Sequence, residues 1–204
     1  MKNDIYTLAH EIRNPLSVVK GYLEMLQENN VGKYKRIIQD EVDVSLEILN
    51  SYLEYDKMEI VKEEIDLNLL LLDIKKSFKD YLKKYNIRIN LHTIDDEIYI
   101  NADYQKLKQV FYNLIKNSIE SKSKNIYIDY HVMFGRVIIC FKNDGEMMDD
   151  DTILKIGNFY SSKTGGSGIG TTLAKKIIEL HRGKIKFRNN KNMGISIYIT
   201  LSLS

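Results

Sequence analysis

Tryptophan is absent from this chain of 204 residues, and cysteine and proline occur once each, as Cys140 and Pro15. A lone cysteine closes no internal disulfide, so a packed core must hold the fold and a reducing compartment is expected. The four histidines, His10, His92, His131 and His181, lie too far apart for a local metal-binding pattern. Neither sign of charge dominates: 30 basic against 28 acidic residues leave a net +2, and that balance names neither a nucleic acid nor an anionic membrane as partner. No apolar run approaches the roughly 20 residues that cross a bilayer, and no signal-peptide pattern opens the chain. A cytoplasmic location without a membrane segment is the expectation. What is plentiful is apolar residues, at 44% of the chain, enough for a sizeable core and too many for a disordered polypeptide.

Two unlike parts are read from periodicity. Between Ile5 and Leu26, the positions Ile5, Ala9, Ile12, Leu16, Val19, Leu23 and Leu26 recur at steps of four and three, the seam of a helix that packs on other helices. After a polar break at 28–33, Ile38, Val42, Ser45, Leu49 and Tyr52 repeat the pattern, which predicts a second helix over 34–58 and an antiparallel hairpin. Two such helices leave apolar surface uncovered, so pairing with a second copy as a four-helix bundle is expected. Beyond residue 59 the period shortens to two at Ile87–Leu91, Ile98–Ile100, Ile126–Tyr130 and Val137–Phe141, and again at Lys184–Arg188 and Gly194–Leu201. Helical patterns at 68–84, 104–121 and 171–181 alternate with these strands. The expected fold class is α+β: a helical hairpin over 1–60, then an α/β sandwich over 61–204.

Four segments carry candidate chemistry. His10 lies one position past the seam residue Ala9, which turns its imidazole outward, and Pro15 five residues on removes a backbone donor inside the same helix at a cost of about 3 kcal/mol. Asn113 and Asn117 share a helix face, and their amide oxygens are hard ligands suited to Mg²⁺. The run Gly165-Gly166-Ser167-Gly168-Ile169-Gly170 precedes a helix whose first N–H groups are free to hold an anion. Asn143-Asp144-Gly145 ends a strand, where an amide or carboxylate can read a purine edge. Each has a plainer reading alone: a surface histidine beside a tolerated kink, a solvated helix face, a flexible connection, a turn. The acidic run Asp149-Asp150-Asp151 reads as a solvated cover segment or helix cap.

In this order and at these separations the segments resemble the catalytic core of sensor histidine protein kinases. His10-Glu11-Ile12-Arg13-Asn14-Pro15-Leu16 looks like the phosphoacceptor box, and the helix from Asn113 to Glu120 like the asparagine box. Asn143-Asp144-Gly145, Phe159-Tyr160-Ser161-Ser162-Lys163 and Gly166-Ser167-Gly168-Ile169-Gly170 look like the first glycine, phenylalanine and second glycine boxes. The resemblance implies a dimeric hairpin followed by a Bergerat ATP-binding fold, with ATP and Mg²⁺ as cofactors. It further implies autophosphorylation of His10 and transfer to an aspartate of a response-regulator receiver domain.

By the same resemblance Glu11 accepts the imidazole proton, and Glu11 with Asn14 suits phosphatase activity on the regulator. Asn117 holds the metal; Asn113, Lys116, Lys163 and the backbone at Gly166, Gly168 and Gly170 attend the phosphates; Asn143 and Gly145 attend the adenine. Asn113 stands where related ATPases carry a glutamate that activates water, which favours a kinase over a hydrolase. Three positions depart from the pattern: Asn143 replaces an aspartate, Met147 a glycine and Thr171 a leucine. An asparagine lacks the full negative charge, so weaker nucleotide affinity is expected. Those departures support an alternative, a dimeric scaffold or phosphotransferase with a degenerate nucleotide site. The family resemblance also admits that the chain is the cytosolic part of a longer membrane-bound sensor.

Overall fold

The structure is a computed structural model that describes residues 2–27, 30–93, 96–149, 153, 169–191 and 193–204. The chain divides into two compact units: among the described residues, one holds those up to Met58 together with 169–172, and the other holds those from Glu59 to Asp149, residue 153 and those from Leu173 onward.

The first unit is a hairpin of α1 (Lys2–Glu24) and α2 (Val31–Asp56). Helix α1 runs unbroken through Pro15, whose ring is buried, and Ser17 Oγ donates to the Arg13 carbonyl at 2.8 Å in the turn around it. Val19, Ser45 and Ile48 are buried between the helices, and the rings of Tyr22 and Tyr34 meet at 5.1 Å near the connection. The seam expected from sequence is only half used within one chain. Leu16, Leu23, Val42 and Leu49 remain exposed, because a hairpin can cover one side of each helix and no more.

In the second unit β1 (Glu63–Asp66) pairs antiparallel with β3 (Tyr99–Ala102) as a small separate sheet. The main sheet has the order β2-β4-β5-β7-β6, formed by β2 (Arg88–Leu91), β4 (Asn125–Met133), β5 (Arg136–Asn143), β6 (Lys184–Asn189) and β7 (Ile195–Ser202). Only the β2–β4 pairing is parallel. Strict alternation gives the sheet one buried face, from Ile126, Ile128, Val137, Ile139, Phe141, Ile197, Ile199 and Leu201.

Three helices cover that face: α3 (Leu67–Ser77), α5 (Tyr104–Glu120) and α6 (Ile169–Leu180). Each turns a stripe inward, such as Leu107, Val110, Phe111, Leu114 and Ile115 on α5. The helix expected over 68–84 is two, α3 and α4 (Lys79–Tyr85), since a one-residue change of backbone at Phe78 (φ −95°, ψ 0°) sets its ring against Tyr112 at 5.4 Å. Periodicity continues across that break and hides it. Strand β1 leaves no signal in the sequence, because Glu63-Glu64-Ile65-Asp66 offers one apolar residue and no alternation to read.

Candidate functional site

Helix α5 begins at Asp103, whose Oδ1 accepts from the Lys106 N–H at 3.0 Å and Oδ2 from the Val61 N–H at 2.9 Å. Burial pushes the Asp103 carboxyl up, but these two bonds, with the nearby Lys106 ammonium, outweigh it and hold the group below its ordinary range. The Asp103 N–H donates in turn to His181 Nε2 at 2.8 Å, and His181 Nδ1 donates to the Ile177 carbonyl at 2.7 Å. An imidazole that accepts at Nε2 carries its proton on Nδ1 and is neutral. Burial accordingly lowers its pKa. A residue weighed from sequence only as a metal ligand thus ties the end of α6 to the start of the asparagine helix. The legible signal was the aspartate immediately before an apolar-periodic run.

Asn113, Lys116 and Asn117 are half-buried, with the two asparagines one turn apart on the same face of α5. Asn113 Nδ2 is buried and has no hydrogen-bond partner among the described residues. A buried amide donor without an acceptor costs about 1–3 kcal/mol, a cost that an acceptor from outside would relieve. Phosphate oxygens are such acceptors. The Asn117 amide oxygen one turn on is a hard donor of the kind Mg²⁺ takes, so this pair fits both a nucleotide phosphate and its metal.

Asn143, expected to face adenine, is 3% exposed and largely committed to the fold. Its Oδ1 accepts from the Ile195 N–H at 3.0 Å, and its Nδ2 donates to Ser118 Oγ at 3.1 Å. Ser118 Oγ donates to the Leu114 carbonyl at 2.8 Å. This clasp joins β5, β7 and α5, and it leaves one lone pair of Oδ1 for a ligand. Ser118 was not singled out from sequence, since a serine on a helix face gives no pattern to recognise.

Asp144 closes the next clasp: its carboxylate accepts from the Lys124 and Asn125 N–H groups at 2.7 and 2.8 Å and from Asn125 Nδ2 at 2.7 Å. Burial raises its pKa, and these bonds overcome the rise and lower it. Gly145 is buried, and a Cβ there would stand 2.3 Å from Ser121 Oγ and 2.5 Å from Ser123 Oγ. The lack of a side chain at Gly145 permits close approach to the end of α5.

On α1, His10 and Asn14 are exposed at a four-residue spacing and Glu11 is half-buried. Gly170 lies in the first turn of α6. Lys163, Gly166, Gly168, the Phe159–Lys163 segment, Asp150 and Asp151 lie outside the described residues.

Two family models match. Residues 102–204 match the Histidine kinase-, DNA gyrase B-, and HSP90-like ATPase model, and residues 5–60 match the His Kinase A (phospho-acceptor) domain. The chain belongs to the histidine kinase family. Among histidine kinases it is 32% identical over 206 residues to sporulation kinase B of Bacillus subtilis (strain 168), covering 96% of the chain and 48% of that kinase. Sporulation kinase E of the same organism is 31% identical over 202 residues, covering 95% of the chain and 27% of that kinase. The chain therefore spans half or less of the length of these relatives. Of solved structures, histidine kinase ThkA in complex with response regulator protein TrrA matches 96% of the chain and 60% of that kinase chain, with a TM-score of 0.78 and 27% identity. The Acinetobacter baumannii histidine kinase AdeS, at 20% identity and a TM-score of 0.69, shares the fold across 96% of the chain and 98% of that structure. The helical hairpin and the α/β sandwich with a mixed sheet are those of histidine kinase cores.

Proposed function

We propose that the chain is the core of a two-component histidine kinase that phosphorylates His10 from ATP and passes the phosphoryl group to a response-regulator aspartate. Residues 1–60 serve dimerisation and phosphotransfer, and 61–204 bind the nucleotide. The observation that carries the reading is the buried Asn113 Nδ2, without a hydrogen-bond partner among the described residues and one turn from Asn117, on a helix within a matched ATPase region.

When bound, Mg²⁺ would neutralise phosphate charge; Asn117 is the residue that would hold it, and Asn113 and Lys116 would orient phosphate oxygens. Lys163 and the backbone at Gly166, Gly168 and Gly170 are proposed to complete that cradle. Asn143 is proposed to accept from the adenine amine through its remaining lone pair, and Gly145 to keep that end of β5 close to α5. Exposure of His10 leaves Nε2 open to attack the γ-phosphorus; the bond from that phosphorus to the β–γ bridging oxygen breaks, ADP leaves, and Glu11 takes the imidazole proton. The resemblance of the structure to a kinase solved with its response regulator supports a receiver domain as the partner. A homodimer is supported by the His Kinase A match and by the exposed half of the hairpin seam.

Incubation with γ-labelled ATP and Mg²⁺ tests the reading. Label that is acid-labile and alkali-stable, and absent from His10→Gln, is the expected result; label retained by His10→Gln would reject it. A second reading, a relay or scaffold with a degenerate nucleotide site, draws on the commitment of Asn143 to Ile195 and Ser118. The two part on titration with MgATP, which saturates in the kinase and shows no saturable binding in the scaffold. Phosphatase activity through Glu11 and Asn14 is a secondary proposal. It predicts faster loss of phosphate from the regulator in the presence of the nucleotide-free kinase, and an unchanged rate counts against it.

A further inference from the structure

The face of the main sheet turned away from α3, α5 and α6 is not neutral, although the whole chain nearly is. Strand register places Arg88 of β2, Arg136 and Lys142 of β5, and Lys184, Lys186 and Arg188 of β6 on that one face. All six are exposed. Among the described residues, the strands carry a single carboxylate on that face, Asp129, whose Oδ1 lies 3.7 Å from His131 Nε2. Six cations against one anion, in a chain with a formal net charge of +2, means that folding has sorted the charges. Five strands about 4.8 Å apart, of which the central three are eight or nine residues long at about 3.4 Å each, make this face roughly 20 Å wide and 27 Å long at its middle.

A second feature borders it. The β4–β5 hairpin turns through Phe134 and Gly135, both with positive φ (51° and 69°). A two-residue turn of this kind is ordinarily made by Asn-Gly or Gly-Gly, and a bulky residue in the left-handed region is strained. Phe134 is 94% exposed, flanked by Val132 and Met133 at 43% and 51%. A strained, solvent-exposed phenylalanine is stabilised by nothing within the described residues. Its ring and the Met133 side chain form an apolar projection on the rim of the basic face, with Gly135 alone between Phe134 and Arg136.

We infer that this face is a docking surface for an anionic phospholipid bilayer, with the cations against headgroup phosphates and carboxylates and the Phe134 turn entering the interface. The surface is broad and basic, as a lipid headgroup layer requires, and the paired signals of charge and an apolar insertion are what reversible peripheral attachment needs. The half-exposed rings of Tyr127 and Tyr198 also suit the interface. A single-stranded nucleic acid fits less well. The two tyrosines are separated by β5 and staggered by two residues, on the order of 12 Å apart, too far for successive bases to stack on them. A protein partner with an acidic surface would use the cations but not the protruding turn.

The test is co-sedimentation of the full chain with vesicles of phosphatidylcholine containing about 30% phosphatidylserine, against pure phosphatidylcholine. Binding is expected only to the anionic vesicles, with loss between about 0.1 and 0.5 M salt. The triple variant Lys184→Glu, Lys186→Glu, Arg188→Glu should reduce partitioning at least about tenfold. Phe134→Asn supplies the separate control, because asparagine suits the turn and should raise the melting temperature while weakening vesicle binding. Should the triple variant fail to fold, Lys186→Glu and Phe134→Asn decide the question. Equal binding to both vesicle types, or anionic binding untouched by both kinds of variant, overturns the inference. So does face-dependent binding to oligouridylate or to a poly-glutamate peptide with none to vesicles.

Discussion

A side chain whose hydrogen-bonding capacity exceeds what its surroundings use shows where a ligand belongs, and Asn113 and Asn143 sit at opposite ends of that scale. Asn143 places both amide atoms in bonds that fasten β5 to β7 and α5, whereas Asn113 buries a donor with no acceptor among the described residues. Asn113→Ala is therefore expected to leave the melting temperature of the nucleotide-free chain unchanged or higher, since it removes an unsatisfied group worth about 1–3 kcal/mol. The same change should weaken MgATP binding about tenfold or more, the loss of one hydrogen bond to a charged group. Thermal melts with and without MgATP measure both effects. A destabilised apo chain with unaltered MgATP affinity would show that Asn113 is a packing residue. The asparagine pair itself was legible in the sequence, as two poor helix formers spaced four apart in a strongly periodic helix. That one amide is spent on the fold and the other is not became visible only with β7 in place, 52 residues beyond Asn143.

Helix α5 holds its asparagines in position because both of its ends are tied. Its start depends on His181, which accepts from the Asp103 N–H only as the neutral imidazole. The folded chain keeps the His181 pKa below its ordinary 6.5, so below that pH the unfolded chain binds more protons than the folded one. Stability is thus expected to be level above about pH 6.5 and to fall as the pH drops through the lowered value. The carboxyls of Asp103 and Asp144, held below 3.8, add a separate loss only at more acid pH. Urea unfolding across pH 5 to 8 reads the first window, and His181→Gln should flatten it at some loss of stability. A slope that persists in His181→Gln would place the proton elsewhere. At this scale sequence reading succeeded where periodicity was unbroken, in α1, α2, α5 and β4 to β7. It failed at the Phe78 joint and at β1, because a single residue of altered backbone leaves the hydrophobic spacing intact and a four-residue strand with one apolar position carries no period.

At the scale of the whole molecule, the exposed half of the hairpin seam is the surface that the proposed homodimer would cover. Leu16, Leu23, Val42 and Leu49 lie in solvent in one chain, and a second hairpin would bury them in a four-helix bundle. Sedimentation should find a dimer, and Leu16→Glu with Leu49→Glu should shift it to monomer. Monomer in the parent chain at micromolar concentration would remove the basis for that assembly. The two-part organisation, the helical hairpin and the residue types proposed to bind phosphate were set by the sequence alone, because periodicity and motif spacing are properties of the chain read in a line. Which faces remain open was decided by tertiary structure. The alternating cations of β6 look like ordinary solvated positions until β2, β5 and β6 are aligned in register; only then do six of them share one surface, since charge segregation depends on which strands become neighbours, and a nearly zero sum over the sequence holds no record of that.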